Sequence, residues 1–126
     1  MSTDAEAKIK QDLLIEIQVL EENYRLIAQF IAGNDYDPAT IGNSIQTFKA
    51  SLSRASAFVL ALYNLKGRRV NIPWEQLFTS LDYALATISV SASVTQRDAV
   101  RTILAMSREQ MGQVLSYFEA LKETLK

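Results

Sequence analysis

Histidine and cysteine are both absent from this 126-residue chain. Without cysteine there is no disulfide, no thiolate metal ligand and no cysteine nucleophile. Without histidine the chain lacks the commonest metal ligand and the usual general base near neutral pH. Together the two absences exclude Ser-His-Asp and Cys-His catalytic sites, di-iron bundles built on Glu-x-x-His pairs, and phosphotransfer through histidine.

Glycine and proline are scarce, with four and two residues. No Walker-type GxxxxGK[ST] loop occurs, and so few glycines form no cluster that could cradle a phosphate. The first residues, MSTDAEAKIKQ, lack the basic-then-apolar layout of a signal peptide. The longest nearly apolar run, residues 55–65, is about half the length needed to span a bilayer. We therefore expect a soluble cytoplasmic protein with no membrane contact, cofactor, metal or small-molecule substrate.

The most regular feature present is an apolar seam in the second quarter of the chain. Its members follow one another at alternating spacings of four and three residues, as on one face of a packed helix. They are Ile41, Ile45, Phe48, Leu52, Ala55, Val59 and Leu62. The chain is 48% apolar and 21% charged, which is ordinary for a globular domain. Its length favours a single domain, 1–126.

Similar seams elsewhere predict four helices, at about 4–32, 38–66, 73–91 and 96–125. Short connections between helices of this kind favour antiparallel neighbours, so the predicted fold is all-α, an up-down-up-down four-helix bundle. The third helix is about ten residues shorter than the others, which should leave the ends of the long helices partly uncovered.

Local signals mark the helix ends. Gly33 and Gly67 follow the first two helices, where a left-handed residue is usual. Asp37 is a good N-cap for the second helix. Pro38 suits the first helical position, because its missing amide hydrogen would have had no partner there. Thr3 and Thr95 each begin a capping-box pattern for the first and fourth helices.

Two faces are candidates for a partner interface. The first helix carries a second apolar row more than a quarter-turn from its seam, and a helix with two apolar rows usually touches two neighbours. The second helix carries alanines opposite its seam, which would let another helix approach closely. These residues are Ile15, Val19, Leu26 and Phe30 in the row, and Ala50, Ala57 and Ala61 on the alanine face. The neighbours are either helices of the same chain or another chain.

Charge is unevenly distributed along a chain whose net charge is −1. Residues 1–37 hold eight acids and three bases, whereas residues 38–72 hold five bases and no acid. The bases are Lys49, Arg54, Lys66, Arg68 and Arg69. One interpretation is that they neutralise the acidic first helix and the helix dipole. The other is a surface for an anion or a nucleic acid.

Other side chains bear on the nucleic-acid interpretation. Arg97, Arg101 and Arg108 could extend a basic surface, although such a stripe is most often solvated. Tyr63 and Trp74 flank the basic loop and could stack on bases, but Trp74 also fits the seam of the third helix. A pI of about 5.4 argues against a dedicated nucleic-acid binder.

Carboxylates are the remaining candidates for chemistry. Asp12 and Glu16 lie one helical turn apart and could bind a divalent cation or act as an acid–base pair. That spacing is common by chance on helix surfaces, so we expect no enzyme. The sequence favours a non-catalytic helical interaction or adaptor protein that self-associates and binds another macromolecule. The alternative is a nucleic-acid-binding small subunit of a larger nucleoprotein complex, acting through residues 49–69.

Overall fold

Four α-helices and no strand occur in the part of the chain described by the computed structural model, residues 2–33, 37–71, 74–90 and 94–125. They are α1 (Ser2–Ile31), α2 (Pro38–Leu65), α3 (Glu75–Val90) and α4 (Val94–Leu125). The predicted all-α, four-helix fold is confirmed, with boundaries within two residues of those expected. Pro73, the expected start of the third helix, lies outside the described residues.

The ends of α2 follow the predicted chemistry. Asp37 is the N-cap, and its carboxylate accepts hydrogen bonds from the Ala39 amide at 3.1 Å and the Thr40 hydroxyl at 2.6 Å. These bonds hold the pKa of Asp37 below its usual value, the Thr40 hydroxyl contributing most. Gly67 follows the helix with φ +68°, the left-handed conformation that glycine adopts without a Cβ clash. The backbones of Thr3 and Thr95 lie in the first turns of α1 and α4, and the side chains on which the other two capping predictions depend lie outside the described residues.

Each helix packs against two others: α1 and α3 both contact α2 and α4. As the residue number rises along one helix, the number of its contact partner on the neighbouring helix falls. This is the order of antiparallel pairs. The contacts that show this order are Glu6–Lys66 and Glu16–Arg54 for α1 and α2, and Glu21–Lys122 and Phe30–Arg101 for α1 and α4. For α2 and α3, Lys49 pairs with Asp82 and Gly42 lies beside Ile88. For α3 and α4, Trp74 contacts Tyr117, and Tyr83 and Ala99 line the same cleft.

The core lies along the central axis of these four helices. Every member of the apolar seam predicted on α2 is buried, from Ile41 to Leu62. The largest fully buried side chains include Phe48 of α2 and Phe118 of α4. Residues that recur at alternating four and three positions stay on one helix face, which is why this seam is removed from water over its whole length.

The predicted length mismatch is present. The third helix has 16 residues, against 28 to 32 in the other three. At 1.5 Å per residue, α3 is about 24 Å long and α2 about 42 Å. Trp74 packs at the N-terminal end of α3 against Tyr117 and Phe118, with ring centroids 5.4 and 5.1 Å away. Beyond α3, Leu60 and Leu65 of α2 remain more than 40% exposed.

Candidate functional site

The second apolar row of α1 lies largely at the surface. Ile15 is 60% exposed and Leu26 41% exposed, while Val19 is half-buried. Phe30 departs from the expectation: it is only 4% exposed and belongs to the core. The Arg101 guanidinium lies 4.9 Å from the centroid of its ring and donates a hydrogen bond to its carbonyl at 3.1 Å. Phe30 is therefore removed from the candidate surface, because α4 covers it.

The alanine face of α2 is open at two of its three positions. Ala50 and Ala57 are exposed and Ala61 is half-buried. Ala50 lines a pocket with Leu85 of α3 and remains exposed there. The close contact that small residues permit is therefore not made within the chain at Ala50 and Ala57.

A polar network fills the groove between α1 and α2. Ser51, which is fully buried, donates to both the carboxylate and the backbone carbonyl of Glu16 at 2.9 Å. Arg54 donates to the same carboxylate from Nε at 2.7 Å and from Nη2 at 3.2 Å. These hydrogen bonds raise the pKa of the Arg54 guanidinium. The Glu16 side chain is only 12% exposed, so the network fixes the two helices side by side.

The two candidate rows both lie outside the groove that this network fills. Ile15 precedes Glu16 and Ala50 precedes Ser51. One residue turns a helix by about 100°, so each of the two precursors lies outside the groove and away from the core. We name this surface the α1–α2 outer face and define it by Ile15, Val19, Leu26, Ala50 and Ala57.

The predicted basic residues do not form one free patch. Lys49 forms an ion pair with Asp82 of α3, Arg54 with Glu16, and Lys66 with Glu6 at 3.7 Å. Each of these three cations therefore has a carboxylate partner within the chain. Two of these partners, Glu6 and Glu16, lie on the acidic α1, so part of the basic segment pairs with that helix.

The remaining basic residues are dispersed. Arg68 and Arg69 are exposed, and the described residues offer them no ion-pair partner. Arg97 contacts Asp98 at 3.4 Å, Arg101 covers Phe30, and Arg108 is exposed on α4. The candidate nucleic-acid surface is thus reduced to the loop arginines.

The aromatic residues near that loop belong to the core side of the structure. Trp74 is half-buried against Tyr117 and Phe118, as its seam position predicted, and Tyr63 packs against the core. Burial raises the pKa of the Tyr117 phenol, and the nearby Tyr63 adds to that effect. These rings are held by packing, so they do not form an open stacking platform.

Each of the two candidate carboxylates forms an ion pair with a basic side chain. Asp12 pairs with Lys8 at 3.0 Å, and Glu16 pairs with Arg54. Within the described ranges, no three acidic side chains are grouped so that they could hold a metal ion.

Sequence reasoning missed a second exposed apolar region, on α3 and α4. Met106 is 78% exposed and Tyr83 is 64% exposed, and Tyr83 lines a shallow cleft with Ala99 and Ile103. Both are large apolar side chains at positions outside the seams of their helices, and this pattern could have identified them from the sequence.

Hydropathy and similarity add two findings. None of the helices, over the residues that the structure describes, has the length and apolar character needed to cross a membrane. Comparison with protein-family models, with curated proteins and with solved structures finds no match to the chain.

Proposed function

We propose that this chain is a non-catalytic helical interaction protein of the cytoplasm that self-associates and binds another macromolecule through the α1–α2 outer face. The observation that carries the proposal is the 60% exposure of Ile15 in a row with Leu26, at 41%. Single exposed apolar residues are normal on a monomer, whereas aligned ones are typical of interaction sites.

The neighbouring α2 surface supports the same conclusion. Ala50 and Ala57 are exposed and project only a methyl group. A partner helix could therefore approach the backbone of α2 closely while it covers Ile15 and Leu26. The Glu16–Arg54 pair between the rows gives the face a polar centre, as in interfaces that combine apolar contact with hydrogen bonding.

The absence of histidine and cysteine supports a non-catalytic role. The two carboxylates that could act as acid and base, Asp12 and Glu16, are paired with Lys8 and Arg54.

The test is to compare what wild-type protein and Ile15→Asp capture from an extract of the native host. Gln113→Asp is the matched control, because Gln113 is exposed on α4, outside the α1–α2 outer face. We expect specific partners to be lost with Ile15→Asp and kept with Gln113→Asp, while both variants retain the melting temperature of the wild type. Equal capture by all three proteins would refute the proposed docking face.

Nucleic-acid binding is the second candidate, and it is favoured by one observation. Arg68 and Arg69 are exposed, and no carboxylate of the described chain pairs with them. Exposed cations of this kind can contact phosphates, and such binding weakens steeply with salt. Binding of single-stranded RNA at low salt that disappears with Arg68→Glu plus Arg69→Glu would establish it. Absence of any retardation by the wild type would remove it.

A further inference from the structure

Three residues of α1 form a charged and apolar line along the α1–α2 outer face. Lys8, Ile15 and Glu22 are spaced by seven residues, nearly two full helical turns, so they lie in one line along α1. The Lys8 side chain is 72% exposed, Ile15 is 60% exposed and Glu22 is exposed. Ile15 therefore stands midway between a cation and an anion.

Among the described residues, both charges have only local partners. Lys8 pairs with Asp12 at 3.0 Å, and Glu22 accepts a hydrogen bond from Gln18 at 3.3 Å. Each of these contacts joins residues four apart on the helix surface, and such contacts are weak. The two charges are therefore available to a partner at little energetic loss.

The order of these residues is self-complementary. Most homodimers have a two-fold axis, so the same patch is used by both copies. If the axis passes beside Ile15 and the two α1 helices are antiparallel, Lys8 of each copy faces Glu22 of the other. A parallel arrangement would place Lys8 against Lys8 and Glu22 against Glu22, and like charges in contact suppress a pairing.

The surroundings of Ile15 permit this approach. Val19 adds apolar area beside the axis, and Ala50 and Ala57 on α2 place no long side chain in the way. We infer that a second copy of this chain binds through antiparallel α1 helices that cross at Ile15, with two symmetric Lys8–Glu22 ion pairs. This inference rests on the proposed function and assigns its docking face to one partner.

A charge exchange tests the pairing. Lys8→Glu and Glu22→Lys each place like charges in contact at both symmetric positions, so each weakens dimerisation about tenfold at low salt. The double variant exchanges the charges and restores the wild-type dissociation constant to within about threefold. Glu109→Lys, an exposed reversal on α4, leaves it unchanged. Circular dichroism confirms that each variant remains helical.

A single thiol provides a second test, because the chain has no cysteine of its own. Under mild oxidation, Ile15→Cys forms a covalent dimer at least about ten times faster than Gln113→Cys, since disulfides require Cα atoms about 4.4–6.8 Å apart. Equal rates for the two variants would contradict a two-fold axis at Ile15.

The outcomes separate this inference from the proposed function. A double variant as weak as the single ones overturns the antiparallel pairing, whereas loss of self-association in Ile15→Asp would still support the docking face. A wild type that stays monomeric overturns the inference and the self-association in the proposed function, whereas Ile15-dependent capture of another macromolecule would then still support the docking face. If no binding of any kind depends on Ile15, both fail.

Discussion

Arg54 of α2 donates two hydrogen bonds to the carboxylate of Glu16 on α1, over 2.7 and 3.2 Å. The hydroxyl of fully buried Ser51 donates a hydrogen bond to the same carboxylate. The three side chains set the alignment of α1 against α2. They thereby determine which residues of the two helices share the α1–α2 outer face.

Replacing Arg54 should show how much this network contributes to the free energy of unfolding. Arg54→Met leaves the mostly buried Glu16 carboxylate with Ser51 alone, so we expect a loss of about 1–2 kcal/mol in the free energy of unfolding. Arg54→Lys should recover part of it, because lysine restores the charge without the two-pronged geometry. Urea denaturation measures both, with the exposed Arg108→Met as control. An Arg54→Met variant as stable as the control would contradict a structural role for the pair.

Two leucines of α1 distinguish core from surface. Leu20 is fully buried and Leu26 is 41% exposed. Leu20→Ala leaves a cavity and should reduce the free energy of unfolding by about 2–5 kcal/mol. Leu26→Ala should reduce it by less than about 1 kcal/mol, because water already reaches this side chain. Similar losses at both positions would mean that Leu26 belongs to the core.

Alanine substitution should change the free energy of unfolding in opposite directions at Gly42, inside α2, and at Gly67, just after its end. At Gly42, inside the helix, a new methyl group would lie 3.9 Å from Ile88, an ordinary contact. Gly42→Ala should therefore raise the free energy of unfolding by about 0.5–1 kcal/mol. Gly67 has φ +68°, so Gly67→Ala should lower it by about 1–2 kcal/mol. Thermal unfolding of the two variants decides both signs.

Acid should remove the contribution of the Asp37 cap. The pKa of this carboxyl is lowered in the folded chain, chiefly by the Thr40 hydroxyl. A lowered pKa means that the charged form stabilises the fold above the usual aspartate pKa, and that this stability is lost as pH falls through the folded value. Asp37→Asn keeps a good N-cap without the charge. The wild type should melt higher than this variant at neutral pH, and the two should converge in acid. A constant difference would show that the charge plays no part.

The helices and their core were predictable from the sequence because both depend on local periodicity. The α2 seam is buried from Ile41 to Leu62. Asp37 caps the start of α2, and Gly67 adopts the left-handed conformation after its end. The position of Trp74 in a seam likewise indicated its packing against Phe118.

The candidate site was only partly predictable because it depends on contacts between helices. Phe30 follows Leu26 by four residues and belongs to the same row by its spacing, yet Arg101 of α4 covers the Phe30 ring. Lys49 and Arg54 looked like members of one basic segment, but they face acids on two different helices. Neither outcome follows from a single helix, since both depend on its rotation against its neighbours.

The solution mass of wild type and Ile15→Asp over a concentration series, by sedimentation equilibrium, tests the central claim most directly. We predict that the wild-type mass rises from the 14.1 kDa of one chain towards twice that value. Ile15→Asp should remain at the mass of one chain with an unchanged melting temperature. A wild type that stays at 14.1 kDa throughout, or an Ile15→Asp variant that associates equally well, would contradict self-association through the α1–α2 outer face.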